Sequence, residues 1–294
     1  MKKEEIQKIV RERYGKIAAQ AGSSCCCGSN SKGSSCCGTS TNLASAIGKN
    51  IGYSNEETNM APEGANLGLG CGNPVALALL KEGEIVLDLG SGAGFDCFLA
   101  SSKVGPRGKI IGIDMTAEML DLARENARKG GYTNVEFRLG EIENLPVADN
   151  SIDAIISNCV INLSSDKQRV FDEAFRVLKP GGRLMVSDIV ILRDLPENVR
   201  NSTDAYTGCV AGAIKKEDYL EAIEHSGFEA VKVVEESSFS LDCVVNDPSA
   251  QKTIENLNMT QKQAGDLSAS VASVRVQGVG NQHNGTLFKP YTLA

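Results

Sequence analysis

The chain has 294 residues, 41% of them hydrophobic, which is enough to fill one α/β domain with additions or two unequal domains. A formal net charge of -7 without any Lys/Arg-rich run argues against a protein that binds nucleic acid or anionic membranes. The opening "MKKEEIQKIV" lacks a long apolar core, and no stretch approaches the roughly 18 apolar residues of a membrane helix. We therefore expect a cytoplasmic protein with no nucleic-acid partner and no membrane partner.

The first 70 residues combine a predicted helix with a cysteine-rich arm. Residues 3–19 place apolar side chains at helical spacing, which predicts an amphipathic helix. The arm "GSSCCCGSNSKGSSCCG", residues 22–38, holds five cysteines among glycine and serine and is predicted to be mobile unless something binds it. Residues 42–70 are rich in Gly and Asn and are predicted to form a loop.

From residue 74, apolar strand patterns alternate with amphipathic helix patterns. "PVALALL" predicts a short helix, and strands are predicted at "EIVLDLG", "KIIGID", "NVEFRLG", "DAIISN", "RLMVSDIV" and "EAVKVVEES". Intervening helices are predicted at "GFDCFLASSKVG", "AEMLDLARENARKGG", "DKQRVFDEAFRVLKPGG" and "KEDYLEAIEHSGF". This alternation predicts an α/β fold with a parallel, doubly wound, Rossmann-like sheet.

The C-terminal residues predict a small α+β addition. "QKTIENLNMTQKQAGDLSAS" is weakly helical, "VASVRVQGV" is strand-like, and the final "NQHNGTLFKPYTLA" has no periodicity and is predicted to be disordered. The predicted organisation is therefore an N-terminal helix and arm (1–70), a central domain (71–240), a C-terminal addition completing the substrate side (241–280) and a tail (281–294).

A glycine loop follows the first predicted strand. In "VLDLGSGAGFD" the glycines permit a tight turn, and the helix start that follows favours an anionic group. The G-x-G-x-G spacing, with Asp88 two residues before Gly90, favours S-adenosylmethionine over a dinucleotide. Asp114 ends the second strand, where a carboxylate can accept ribose hydroxyls. The alternative is that Asp88 and Asp114 only cap helices.

These motifs resemble those of class I S-adenosylmethionine-dependent methyltransferases over about residues 74–240. The resemblance implies S-adenosylmethionine as the cofactor. It also implies that "LGEIENLP", after the third strand, lies around the adenine. The cofactor contacts that it implies are Asp88, Gly90, Ser91, Gly92, Asp114, Met115, Glu141, Ile142 and Asn158.

The ten cysteines suggest reactive groups or soft ligands, because disulfides are rare in a reducing compartment. The two histidines are poorly placed as general bases, and Cys97 and Cys243 are expected to be small buried hydrophobic residues. Cys159 follows the fourth strand, while Cys71 and Cys209 precede predicted helices that return to the same sheet edge. We expect these three thiols to meet there, with pKa values lowered by nearby helix N-termini.

Three converging thiolates suit a soft three-coordinate centre such as trivalent arsenic, whose lone pair carries no proton to remove. Zinc is the alternative ion for these thiolates, but structural zinc sites have four protein ligands and usually short C-x-x-C pairs, which are absent here. Incidental burial of the cysteines is the simpler alternative.

In this context "ANLGLGCGNP", "LDLGSGAGFDCF", "ISNCVINL" and "DAYTGCVAGA" resemble the motifs of arsenite methyltransferases, in the same order, over about residues 5–280. The resemblance implies that Cys71, Cys159 and Cys209 bind arsenite or thiol-conjugated arsenic(III) as substrate, with no separate catalytic metal. It also implies successive methyl transfers, and reduction of a turnover disulfide by thioredoxin or a small thiol. The segment "NLNMTQKQAGDLSASVASVRVQGV" resembles the family's C-terminal helix and strand but is divergent.

The cysteine arm then has a predicted role as a disulfide relay between the sheet edge and the reductant. The family has one such cysteine, and we assign the role to Cys36 or Cys37, which are nearest in sequence to Cys71. A metal-scavenging arm or a simple linker is the alternative. Two other functions stay open: a methyltransferase of a small carbon or oxygen nucleophile, and a non-enzymatic protein that binds arsenic or metals.

Overall fold

The computed structural model describes residues 3–22, 44, 47–49, 51–238, 251, 254–257 and 259–281. Its strands form one sheet. They are β1 (Ile85–Leu89), β2 (Lys109–Asp114), β3 (Val135–Leu139), β4 (Ile152–Asn158), β5 (Leu178–Ile191), β6 (Phe228–Ser238) and β7 (Val271–Gly280). The order across the sheet is β3-β2-β1-β4-β5-β7-β6.

Helices flank the sheet on both faces. They are α1 (Lys3–Gly22), α2 (Asn55–Met60), α3 (Pro74–Leu77), α4 (Phe95–Val104), α5 (Ala117–Gly130), α6 (Lys167–Val177), α7 (Glu197–Arg200), α8 (Thr203–Thr207), α9 (Lys216–His225) and α10 (Gln261–Ser268), with a 3-10 turn at Ile161–Leu163. Across the residues that the structure describes, none of these helices has the length and apolar character needed to span a bilayer.

The predicted doubly wound α/β sheet is confirmed, but it is not wholly parallel. Strands β1 to β5 pair in parallel with their neighbours, whereas β7 is antiparallel to both β5 and β6. The strand predicted at "VASVRVQGV" therefore lies inside the main sheet. It can lie there because its apolar side chains are buried on both faces. The four-part division of the chain stays a prediction.

Helix α2 was not predicted, because it lies in the segment that was predicted to be a loop. Helix α2 begins with a capping box, in which the Ser54 hydroxyl accepts from the Glu57 amide at 3.1 Å and the Glu57 carboxylate accepts from the Ser54 amide at 2.9 Å. The sequence signal was present as S-x-x-E. The predicted arm and tail lie outside the described residues, apart from Gly22 and Asn281.

The core forms two layers because successive strand residues point to opposite faces of the sheet. On β1, Leu87 and Leu89 join one buried cluster with α6 and α9, and Val86 joins the other with α4 and α5. A third cluster lies at the carboxyl edge of the parallel strands and includes Ile6 and Val10 of α1. Burying each large side chain contributes about 1.5–3 kcal/mol, so α1 is held by its own packing.

Candidate active site

Two of the three predicted thiols lie together at the carboxyl edge of the sheet. Cys159 directly follows β4, and Cys71 lies three residues before α3, which returns to the same edge. Their sulfur atoms and a carboxylate oxygen of Asp188, on β5, all lie within 4.8 Å of one another. All three residues are buried. The sequence thus placed Cys71 and Cys159 correctly relative to each other.

The third thiol, that of Cys209, lies beside this group and is not part of it. The Cys209 Sγ, just after α8, donates a hydrogen bond to the Cys159 carbonyl oxygen at 2.8 Å. Both residues have left-handed backbone conformations, with φ of 57° at Cys159 and 64° at Cys209. Such a conformation costs a non-glycine residue about 1–3 kcal/mol and persists only where the surroundings enforce it, which is typical of functional sites.

The prediction of a lowered thiol pKa is wrong for Cys159. Hydrogen bonding with the thiols of Cys209 and Cys71, followed by burial, raises the pKa of Cys159 well above its ordinary value. The Cys159 thiol therefore holds its proton more strongly than an ordinary thiol does.

The backbone of Cys71 is held from both sides. Its amide donates to the Asn158 Oδ1 at 3.0 Å, and its carbonyl accepts from the Ser273 hydroxyl of β7 at 2.7 Å. Asn158 also donates to the Gly72 carbonyl at 2.8 Å. Because Asn158 precedes Cys159 in the chain, these bonds tie the two thiol-bearing segments together. The antiparallel strand that the sequence placed in a separate addition is thus part of the site.

Asp188 was not predicted as a site residue. One carboxylate oxygen accepts from the Asn162 amide at 2.8 Å and from the Ile189 backbone at 2.9 Å, and the other accepts from the Tyr219 hydroxyl at 3.3 Å. Burial raises the pKa of Asp188 to about 7, although these hydrogen bonds and Lys167 oppose the shift. The available signal was one carboxylate inside the apolar strand "RLMVSDIV".

A cavity adjoins the thiols and contains the glycine loop. Of the nine predicted cofactor contacts, eight line it: Asp88, Gly90, Ser91, Gly92, Asp114, Met115, Ile142 and Asn158. Of the three predicted thiols Cys159 lines it too, whereas Cys71 and Cys209 are outside the lining, so the cavity reaches the thiols at Cys159. The remaining predicted contact, Glu141, is outside this lining and accepts a hydrogen bond from Arg11 of α1 at 2.5 Å.

Local geometry explains two of the three glycines of the loop. Gly90 has φ of 70°, and a Cβ there would lie 2.3 Å from Val160, so only glycine fits the turn. Gly92 has φ of 50°, and a Cβ would meet nothing within 4 Å, so the backbone is open to an incoming group. The Gly92 amide is oriented by Asp114, which accepts from it at 2.9 Å and from the Thr116 amide at 2.8 Å.

Buried carboxylates give the cavity an acidic character. Burial raises the pKa of Asp88 and Asp114 above their ordinary values, and raises that of Asp96 to about 6. Asp96, which was not predicted, accepts from the Tyr53 hydroxyl at 2.5 Å and from Asn158 at 3.1 Å. A ligand that carries positive charge and hydroxyl donors would relieve the cost of burying these groups.

The cavity also contains unpaired polar atoms. Within the described parts of the chain, the buried side-chain atoms without a hydrogen-bond partner are Gln7 Nε2, Ser91 Oγ and Asn162 Oδ1, and the first two belong to cavity-lining residues. With the carboxylates and the open glycine loop, this polarity fits the nucleoside and amino-acid parts of S-adenosylmethionine.

The predictions for the remaining cysteines differ in how far the structure tests them. Cys97 is fully buried as expected, but its thiol also donates to Asp88 at 3.1 Å. Cys36 and Cys37, the predicted relay cysteines, and Cys243 lie outside the described residues. The relay therefore stays a prediction.

The glycine loop after β1 and the carboxylates at the ends of β1 and β2 are features of the class of S-adenosylmethionine-dependent methyltransferase folds. Residues 80–227 match the family described as "Methyltransferase domain". An arsenite methyltransferase of Halobacterium salinarum is 51% identical over 232 residues, which cover 78% of this chain and 59% of the relative. The human arsenite methyltransferase is 41% identical over 152 residues, 49% of this chain and 40% of that protein.

A solved structure gives a broader match. The arsenic(III) S-adenosylmethionine methyltransferase of Chlamydomonas reinhardtii superposes with a TM-score of 0.58 at 30% identity, covering 83% of this chain and 75% of that chain. The chain belongs to the arsenite methyltransferase family. It spans only about half the length of the curated relatives that it matches.

Proposed function

We propose that this chain transfers methyl groups from S-adenosylmethionine to trivalent arsenic held by the thiols of Cys71, Cys159 and Cys209. The observation that carries the proposal is the buried thiol cluster, whose member Cys159 also lines the glycine-loop cavity. An acceptor on these thiols is next to the cofactor site. The names of the relatives support the same substrate class.

Binding of arsenite needs no external base. Arsenous acid has three hydroxyl groups, one for each thiol, and every arsenic–sulfur bond that forms releases one hydroxide together with the thiol proton as water. Three thiols therefore give a neutral arsenic trithiolate and three water molecules. The raised pKa of Cys159 is compatible with this exchange, because its proton leaves in the water. Thiol-conjugated arsenic(III) exchanges in the same way and releases its own thiols.

S-adenosylmethionine supplies, when bound, a methyl group on a positively charged sulfur. We assign its contacts to the predicted residues that line the cavity: Asp88, Gly90, Ser91, Gly92, Asp114, Met115, Ile142 and Asn158. The acidic wall favours the positive charge, and the arsenic lone pair is the nucleophile. The protein contributes alignment of donor and acceptor, which is the main source of rate in such a displacement. No separate catalytic metal enters this proposal.

A disulfide relay completes the proposed cycle. Each transfer converts trivalent arsenic formally to the pentavalent state, and its return takes two electrons. Two thiols supply them by forming one disulfide and releasing two protons. We assign one of these thiols to Cys36 or Cys37 of the arm. Thioredoxin or a small cytoplasmic thiol then reduces the disulfide.

Purified full-length protein, incubated with arsenite, labelled S-adenosylmethionine and a thiol reductant, tests the proposal through speciation of the arsenic products. We expect methylated arsenic from the wild type and a loss of at least about 100-fold in Cys159→Ser, which removes one ligand of the nucleophile. Cys243→Ser, a cysteine outside the proposed machinery, is the control. Wild-type protein that binds both ligands but forms no product would refute the enzyme and favour an arsenic-binding protein.

A further inference from the structure

Helix α1 covers the cofactor cavity, a role that its sequence did not reveal. Gln7, Val10 and Tyr14 line the cavity, and their spacing of three and four residues places them on one helix face. Ion pairs fix the helix on both sides: Arg11 with Glu141 at 2.5 Å, and Arg13 with Asp204 at 3.3 Å. These contacts, together with the buried Ile6 and Val10, keep this face against the cavity.

Tyr14, the residue of this face nearest the thiols, already has a hydrogen-bond partner. The Tyr14 hydroxyl donates to the Thr207 carbonyl at 3.2 Å, and burial, together with Cys209 and Cys159, raises the pKa of Tyr14 well above its ordinary value. Tyr14 is thus a neutral, satisfied group between the thiols and the cavity. It needs nothing from a ligand.

Gln7 has no such partner. Its Nε2 is buried and makes no hydrogen bond, although a buried amide without a partner is unfavourable and rare in folded proteins. Ser91 Oγ, in the glycine loop, lines the same cavity and is also unpaired. Two buried polar atoms from distant parts of the chain therefore lack partners in the one cavity that already contains the glycine loop. A polar ligand in the cavity explains both.

We propose that the Gln7 carboxamide donates a hydrogen bond to bound S-adenosylmethionine, which makes α1 part of the cofactor site. The cofactor offers matching acceptors in its carboxylate, its ribose oxygens and its ring nitrogens. This inference rests on the proposed function only for the identity of the cofactor. It does not depend on arsenic or on any thiol.

Calorimetric titration of the full-length protein with S-adenosylhomocysteine, without arsenite, tests the proposal. Gln7→Leu keeps the size of the side chain and removes the donor, and we expect its Kd to rise about tenfold. Its melting temperature without ligand should be unchanged or higher, because an unpaired buried amide has been removed. Gln20→Leu, at an exposed position of the same helix, should change neither the affinity nor the melting temperature.

Two outcomes would overturn the inference. One is an unchanged Kd in Gln7→Leu, and the other is a fall in melting temperature that accompanies the loss of affinity, which would indicate a purely structural role. A measurement on the wild type gives a second test: S-adenosylhomocysteine should slow amide hydrogen exchange over residues 6–14, and unchanged exchange contradicts the proposal. If the protein does not methylate arsenic but Gln7→Leu still weakens S-adenosylhomocysteine binding, the proposed substrate is rejected and this inference is still supported.

Discussion

Replacement of Ser273 by alanine removes one of the two hydrogen bonds that hold Cys71. The hydroxyl of this buried β7 residue donates to the Cys71 carbonyl at 2.7 Å. Losing such a bond and leaving a buried carbonyl unpaired costs about 1–2 kcal/mol. If that energy positions Cys71 beside Cys159, the Kd for arsenite should rise by about 5- to 30-fold.

A matched serine provides the control for this variant. Ser270 is equally buried, and its hydroxyl donates to the Asp266 carbonyl at 2.8 Å, so it makes no bond to the Cys71 backbone. We expect Ser270→Ala to lose a similar free energy of unfolding, measured by circular dichroism, with no change in arsenite affinity. Calorimetry should use a full-length background in which the five arm cysteines are serine, because they also bind arsenite. Equal stability losses with equal arsenite affinities in the two variants would refute the positioning role.

Three further predictions concern the thiols, the glycine loop and the acidic wall. Cys209→Ser should weaken arsenite binding by at least about 100-fold in calorimetry and leave S-adenosylhomocysteine binding unchanged; equal losses would indicate a general collapse of the site. Gly90→Ala should lower the free energy of unfolding by more than about 2 kcal/mol, because the added Cβ clashes with Val160. Gly92→Ala should lower it by about 1 kcal/mol and mainly weaken S-adenosylhomocysteine binding. A larger loss of stability in Gly92→Ala than in Gly90→Ala would contradict the loop geometry. Asp96 has a pKa raised by burial to about 6, so the folded protein binds its proton more tightly than the unfolded chain, and its contribution to stability is lost as pH rises from about 4 through 6. Denaturant unfolding should therefore show that the free energy of unfolding of Asp96→Asn, relative to wild type, increases by on the order of 3 kcal/mol between pH 4 and pH 7. A difference in unfolding free energy that does not depend on pH would refute the raised pKa.

The alternation of strands and helices was enough to predict the order of the central elements along the chain and the sheet edge at which Cys71 and Cys159 lie. Cys159 directly follows a strand, so its position depends only on the rule that ligands bind at the carboxyl ends of parallel strands. The position of Cys71 could be predicted because the short helix that begins at Pro74 has its N-terminus at the same edge of the sheet. Both positions depend only on the direction in which a strand or helix runs, and the sequence pattern indicates that direction.

Other features depend on long-range contacts that no local pattern encodes. Strand β7 was recognised as a strand, but its insertion between β5 and β6 depends on pairing with residues 80–96 positions earlier in β5 and 34–52 positions earlier in β6. The face of α1 was predicted to be amphipathic, yet the sequence does not say which cavity it covers. The pKa of Cys159 was predicted in the wrong direction because thiol crowding depends on how closely the three segments pack.

X-ray absorption at the arsenic edge tests the central claim most directly, on the one-to-one arsenite complex of the full-length protein whose five arm cysteines are serine. The account predicts arsenic bound by three sulfur atoms and no oxygen, with one sulfur replaced by oxygen in Cys159→Ser. A retained oxygen ligand in the parent protein, or a spectrum that Cys159→Ser leaves unchanged, would contradict it.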